Sequence, residues 1–210
     1  MSRRLATVIA LSVVAAVPLL TGPASAAPAC TIVGTDGPDE LEGTSGRDVI
    51  CGKAGNDVIR GRQGDDIIRA GRGADLVHGG VGDDVILGGR GRDVLFGDDG
   101  NDVIRGQRGV DELRGYLGND RILGARRRDV IFGGAGADVL KGGKGNDEIR
   151  GGVDGDRITG GIGGDLLIGW GGDDTISGVD GIEGNDTVKG SPGTDTCTAD
   201  PNDIVLRCEQ

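Results

Sequence analysis

Gly79-Gly80-Val81-Gly82-Asp83-Asp84-Val85-Ile86-Leu87 and Gly142-Gly143-Lys144-Gly145-Asn146-Asp147-Glu148-Ile149-Arg150 are two copies of one nine-residue phrase. Outward from them, the chain can be cut into nines from Gly34 to Ser177 without a gap, giving sixteen units. A fixed period of this kind signals stacked repeats and outranks any local motif. The sixth position is aspartate in every unit: Asp39, Asp48, Asp57, Asp66, Asp75, Asp84, Asp93, Asp102, Asp111, Asp120, Asp129, Asp138, Asp147, Asp156, Asp165 and Asp174. The eighth is always Ile, Leu or Val, from Leu41 and Ile50 to Leu167 and Ile176. The first position is Gly in fifteen units, with Ala70 the exception, and the fourth in fourteen, with Arg127 and Asp154 departing. An insertion at 178–180 shifts the phase, and two further units, 181–189 and 190–198, add Asp186 and Asp195 and bring the total to eighteen.

Glycine permits positive φ at low steric cost, whereas aliphatic residues favour a pleated strand. Each unit therefore reads as six turn residues followed by three strand residues. The middle strand residue, in the eighth position, faces inward and its neighbours face out. With 45 glycines in 210 residues and 2% aromatics, no bulky globular core can be assembled. One aliphatic side chain per nine residues, at about 1.5–3 kcal/mol each, struggles against roughly 1–2 kcal/mol of backbone entropy per ordered residue.

The phrase Gly-Gly-x-Gly-x-Asp-x-aliphatic-x resembles the nonapeptide of the RTX (repeats-in-toxin), or hemolysin-type, calcium-binding family, over residues 34–198. The resemblance implies an all-β, right-handed parallel β-roll with two nonapeptides per coil and Ca²⁺ held in the turns. About eight to nine coils follow, stacked to roughly 40 Å. Alternate aspartates then line opposite edges, Asp39 to Asp165 on one and Asp48 to Asp174 on the other, about 4.8 Å apart. Neighbouring carboxylates repel by about 1 kcal/mol in water and several at lower effective dielectric. A hard cation removes that cost. Ca²⁺ accepts six to eight oxygens in irregular geometry, including peptide carbonyls, whereas Mg²⁺ wants a tighter octahedron. Zinc is disfavoured, because His78 is the only histidine and the cysteines have other work. Metal binding and folding are expected to be one event. In the unit 124–132, Arg126, Arg127 and Arg128 stand where the turn would wrap the ion, so that site is expected to be weak or empty; Asp154 and the surroundings of 178–180 share the doubt.

The start of the chain gives an address. Arg3 and Arg4, an apolar stretch from Leu5 to Leu20 and Ala24-Ser25-Ala26 read as a cleaved secretory signal peptide over 1–26, since the apolar run is short for a membrane span and Pro18 interrupts it. Cleavage removes two arginines and no acid, taking the formal charge from −11 to −13. Such a chain repels nucleic acid and attracts cations. Within the family resemblance, a cleaved leader points to the general secretory route and away from the toxins. Segment 27–33 is expected to cap the roll at one end and 199–210 at the other.

The four cysteines, an even number in an oxidising compartment, group near the two ends. Cys51 takes an outward ninth position within reach of Cys30. Cys197 takes an inward eighth position, and Cys208 follows Ile204-Val205-Leu206, so a bridge there clamps a terminal strand over the open end. Free thiols and bridges between chains are the alternatives. Enzymatic chemistry is not expected: Asp65-Asp66 and Asp173-Asp174 are products of the repeat, whereas catalysis needs one distinctive pair, and a Ser-His-Asp set would rest on His78, an ordinary outward residue. On alternate coils the ninth position reads Arg60, His78, Phe96, Arg114, Phe132, Arg150, a basic and aromatic ladder. It could grip an anionic polymer such as an acidic polysaccharide at the cell exterior. The plainer reading is a solvated face whose arginines offset the acidic edges. Tyr116 and Trp170 read as isolated turn residues.

Overall fold

Strands that begin just after each aspartate wind into two parallel sheets of ten strands each. This is seen in a computed structural model, which describes residues 28–182 and 185–208; the expected signal peptide lies outside the described residues. Within each sheet, a strand's neighbour is the next strand but one in the chain, so each coil gives one strand to each sheet. The first sheet runs from Ile32–Val33 through Val49–Ala54 and Ile67–Arg72 to Thr196–Thr198; the second runs from Glu40–Glu42 through Val58–Gln63 to Ile204–Leu206. Registers advance by eighteen residues, as in Ile59↔Val77 and Ile86↔Ile104. Across the insertion they advance by twenty-one, as in Leu167↔Val188, so the three extra residues are absorbed in a turn. Among the described residues there is no helix, and none long and apolar enough to cross a membrane.

The result is a parallel β-solenoid of about ten turns, more than the eight to nine expected. The surplus comes from both ends. Ile32 pairs with Ile50, because the nine-residue phase continues backward past Gly34, with Cys30 in the place of the aspartate. Val205 pairs with Val188, although this last coil is one residue short and hides its phase.

Strands in the middle of the roll span five to seven residues, not three. The register skips the first position of the next unit and carries on through its second and third, as in Arg62↔Gly80 and Gln63↔Val81. The glycines bend the chain without breaking its ladder, which shrinks the true turn to positions four to six. At the fourth position of most units the backbone has positive φ: Gly91 has φ of 147°, and a Cβ there would run into the carbonyl of Gly73 one coil below. Arg127 and Asp154 keep the same turn with φ of 77° and 73°, a conformation costly to a residue with a Cβ.

The eighth-position column is the core, from Ile50 to Val188, at no more than 2% exposure. Ile32 and Leu41 half-cover it at one end, and Cys197, Ala199 and Cys208 at the other. Both expected bridges are present, Cys30–Cys51 and Cys197–Cys208, with Cα separations of 6.0 and 5.8 Å.

Candidate metal centre

The sixth-position aspartates end each turn and enter the next strand, and from Asp48 onward the column is buried. Each carboxylate has two jobs. Its Oδ1 accepts the backbone N–H of the aspartate one coil earlier: Asp39 donates to Asp57 at 2.9 Å, Asp84 to Asp102 at 2.8 Å, Asp156 to Asp174 at 2.8 Å. The ladder crosses the insertion without interruption, with Asp165 donating to Asp186 and Asp174 to Asp195. Its Oδ2, from Asp57 to Asp174 and again in Asp186, is buried with no partner among the described residues. Fifteen orphaned carboxylate oxygens in two files are far beyond what a fold tolerates unless something fills the gap.

What surrounds those oxygens is equally telling. A Cβ on the first-position glycine of these units, the Asp75 unit with its Ala70 excepted and with Gly178 serving Asp186, would fall closer than 3.0 Å to Oδ2 and, in most units, to a peptide oxygen of the next coil; at Gly97 these are Asp102 Oδ2 and the carbonyl of Gly115. Glycine thus clears a small space walled by oxygen. No three His, Cys, Asp or Glu side chains converge among the described residues, so carboxylate oxygens here must be joined by peptide carbonyls. An all-oxygen set of low side-chain charge, with no fixed octahedron, fits Ca²⁺.

Electrostatics show how uncomfortable the edges are without a cation. Burial, ahead of repulsion from neighbouring aspartates, pushes Asp84, Asp93, Asp102, Asp138, Asp156 and Asp165 up to about 7 and Asp129 to about 8. The same cause lifts Asp120, Asp147 and Asp186 to about 6. The N–H bonds along the ladder pull the other way and lose.

This architecture and the matched repeat identify the chain's family. The chain belongs to the RTX calcium-binding nonapeptide repeat family. The family's model matches in overlapping or adjoining stretches from residue 31 to residue 203, nearly all the described residues. No curated protein matches the chain. RTX nonapeptide repeats bind calcium, and here their turns carry the aspartate ladder.

Three predicted ligands differ from the rest of the RTX column. Asp39 accepts the N–H of Thr35 on Oδ2 at 2.6 Å, Asp48 that of Thr44 at 2.7 Å, and Asp195 that of Ser191 at 2.7 Å. For Asp48, that backbone bond, with the Thr44 hydroxyl, holds the carboxyl below its ordinary value. At the ends, then, Thr or Ser in the second position supplies what the interior lacks. Asp129, in the arginine-rich unit, keeps its place: it is buried, its Oδ1 accepts from Asp111 and its own N–H donates to Asp147, while Arg126, Arg127 and Arg128 stay exposed.

Two features of the edge escaped the sequence reading. Asp203 extends the first file: its Oδ1 accepts the N–H of Asp186 at 3.2 Å and of Asn185 at 3.0 Å. The signal was Asp203-Ile204-Val205-Leu206, a half-unit displaced by one residue. Fifth-position side chains also stitch the coils, in the opposite direction. Asp65 Oδ1 accepts the N–H of Asp83, Asp83 that of Asn101, and Asn101 that of Asn119. The aspartate pairs are therefore one residue for each direction.

The ninth-position ladder lies on the second sheet and is compensated there. Arg60 pairs with Glu40 at 2.8 Å, His78 with Asp98 at 3.0 Å, and Arg114 and Arg150 with Glu112 and Glu148. Arg114 also lies over Phe96 and Phe132, and Arg150 over Phe132. Tyr116 is not isolated, since its ring centroid is 5.8 Å from that of Phe96, which in turn packs on His78 at 4.5 Å.

Proposed function

We propose that this chain is a secreted structural or adhesive module whose middle coils, above neutral pH, fold only when Ca²⁺ fills both edges. The observation that carries the reading is the double file of buried, unpartnered Oδ2 atoms beside glycine carbonyls. When bound, Ca²⁺ supplies positive charge to carboxylates that otherwise repel or take up protons. The ladder of N–H to Oδ1 bonds holds each carboxylate in line, and the first-position glycines keep the space clear. The interior aspartates, Asp57 to Asp174 with Asp186, are the proposed ligands. Asp39, Asp48 and Asp195, already hydrogen-bonded on both oxygens, with the Thr35 and Thr31 hydroxyls on Oδ1 of Asp39 and Asp48, are proposed to fix the ends without metal. The site beside Asp129 remains the weak one, with three exposed arginines around it.

Two disulfides suit an oxidising exterior. One carboxylate arrangement recurring along both edges singles out no pair for acid-base catalysis. The test is far-ultraviolet circular dichroism during titration from EDTA into millimolar Ca²⁺, with Mg²⁺ as control. A disordered spectrum that turns to β with Ca²⁺ alone is expected. A flat titration means that the disulfides and the aliphatic column fold the roll unaided, and the coupling is wrong.

A further inference from the structure

The outer face of the first sheet is as basic as the edges are acidic. Its third-position residues stand in one file, paired strand to strand: Arg72↔Arg90, Arg90↔Arg108, Arg108↔Arg126 and Arg126↔Lys144. All five side chains are exposed. None has a carboxylate within 4.0 Å among the described residues, and every ion pair found lies on the second sheet or runs from its turns. The reason is in the sequence: no outward position of the first sheet, from Val49–Ala54 to Arg157–Ile162, carries Asp or Glu. In a chain of net charge −11, five unpaired cations in register on one face are a segregated charge pattern.

Like charges on adjacent strands are destabilising when directly opposite. Arginines repeated at about 4.8 Å therefore weaken the free sheet slightly and gain only when an anion bridges them. Beside the file is a shallow depression floored by Val103, Leu123 and Val139 and rimmed by Arg105, Arg121 and Lys141. An apolar floor with a basic rim calls for a ligand with an apolar face and anionic substituents. No aromatic side chain stands on this face, so the stacking platform that single-stranded nucleic acid uses is missing.

We infer that the first sheet docks a linear acidic polysaccharide along the roll axis, its carboxylates or sulfates on Arg72, Arg90, Arg108, Arg126 and Lys144 and sugar C–H faces on the aliphatic floor. The guanidinium fork meets either anion through paired hydrogen bonds, which a file of lysines would not do. The rise of a pyranose ring in an extended chain is close to the strand spacing, so one anion per sugar meets one cation per coil. The polymer-binding face is thus the one opposite the ninth-position ladder, whose cations are already paired. The inference rests on the calcium-folded roll proposed above.

The test measures fluorescence anisotropy of a labelled heparin oligosaccharide against the full chain at saturating Ca²⁺, with circular dichroism recorded on the same samples. The triple variant Arg90→Gln, Arg108→Gln, Arg126→Gln places at exposed third positions a residue that Gln63 already carries in the equivalent place of the second sheet. Loss of three exposed charge contacts should weaken binding about tenfold or more and flatten its salt dependence, with the β spectrum unchanged. The matching variant Arg60→Gln, Arg114→Gln, Arg150→Gln on the second sheet should bind as the parent does. Unchanged binding by the first variant overturns the inference, as does selective loss in the second. Equal affinity for duplex DNA or polyphosphate also overturns it, since the face would then read charge alone. A missing β spectrum at saturating Ca²⁺ refutes the calcium reading instead, so the two failures are distinguishable.

Discussion

Raising the pH in EDTA should dissolve the roll. Ten edge aspartates have folded-state values of about 6 to 8, against an ordinary 3.8, chiefly because burial penalises their charged form. Between those values the folded chain holds protons that the unfolded chain has released. Stability is therefore full below about pH 4 and falls as pH rises through 6 to 8. For Asp102, raised from 3.8 to about 7, the bound is about 4 kcal/mol at about 1.4 kcal/mol per tenfold, and solvent at the rim of the edge cuts it to about 2. Ten such groups outweigh the whole stability of an ordinary domain, about 5–15 kcal/mol. The assay is circular dichroism from pH 4 to 9 in EDTA and again in millimolar Ca²⁺. In EDTA the β signal should be present at acid pH and lost through neutrality. In Ca²⁺ it should persist at pH 8, because the metal replaces the protons. A metal-free β signal that is level across this range, or one that grows with pH, would refute the account of the edges.

Three substitutions separate metal, core and turn. Asp102→Asn keeps the acceptor for the Asp84 N–H but removes a buried charge, so in EDTA it should raise the pH midpoint of unfolding, while at pH 7.5 it should raise the Ca²⁺ concentration needed to fold. Both shifts are readable in the same titrations. Ile86→Ala leaves a cavity in a fully buried column and should cost about 2–5 kcal/mol in urea unfolding even at saturating Ca²⁺, with little change in calcium midpoint relative to stability. Gly91→Ala forces a Cβ at φ of 147° against the Gly73 carbonyl and should destabilise more than an alanine at an outward position such as Arg90, as thermal melts of the two variants would show.

The eighth and sixth columns were legible because they are strict: a period of nine with no exception leaves one inward file and one edge file whatever the finer geometry. The bridges were legible for a related reason, since Cys51 and Cys197 hold fixed places in that period. Asp203 was not, because a single missing residue breaks the count even though the chain still completes a coil. The role of Thr35, Thr44 and Ser191 was hidden because the second position varies and its peptide N–H, not its side chain alone, answers the carboxylate. The basic file was overlooked because the third position was read as turn. Once pairing is seen to run through that position, every second unit contributes an arginine or lysine to one surface from Arg72 to Lys144.

The ends and the middle of the roll are held by different chemistry. At the ends, a disulfide ties each terminal segment down, Asp39, Asp48 and Asp195 accept threonine or serine N–H groups and Asp203 those of Asn185, Asp186 and Asp200, and Glu40 and Glu42 of the first strand of the second sheet pair with Arg60 and Arg62 one coil inward. Charged, covalently fixed ends protect a solenoid from edge-to-edge growth and need no metal. In the middle, each coil touches only its neighbours, and the Oδ2 atoms of its carboxylates have nothing but a cation or a proton to satisfy them. Stability there is a sum of nearest-neighbour terms, each containing one metal-dependent contact on either edge. Loss of calcium should therefore loosen the interior coils as a block while both closed ends stay tied, leaving a chain that can refold from either end when the ion returns.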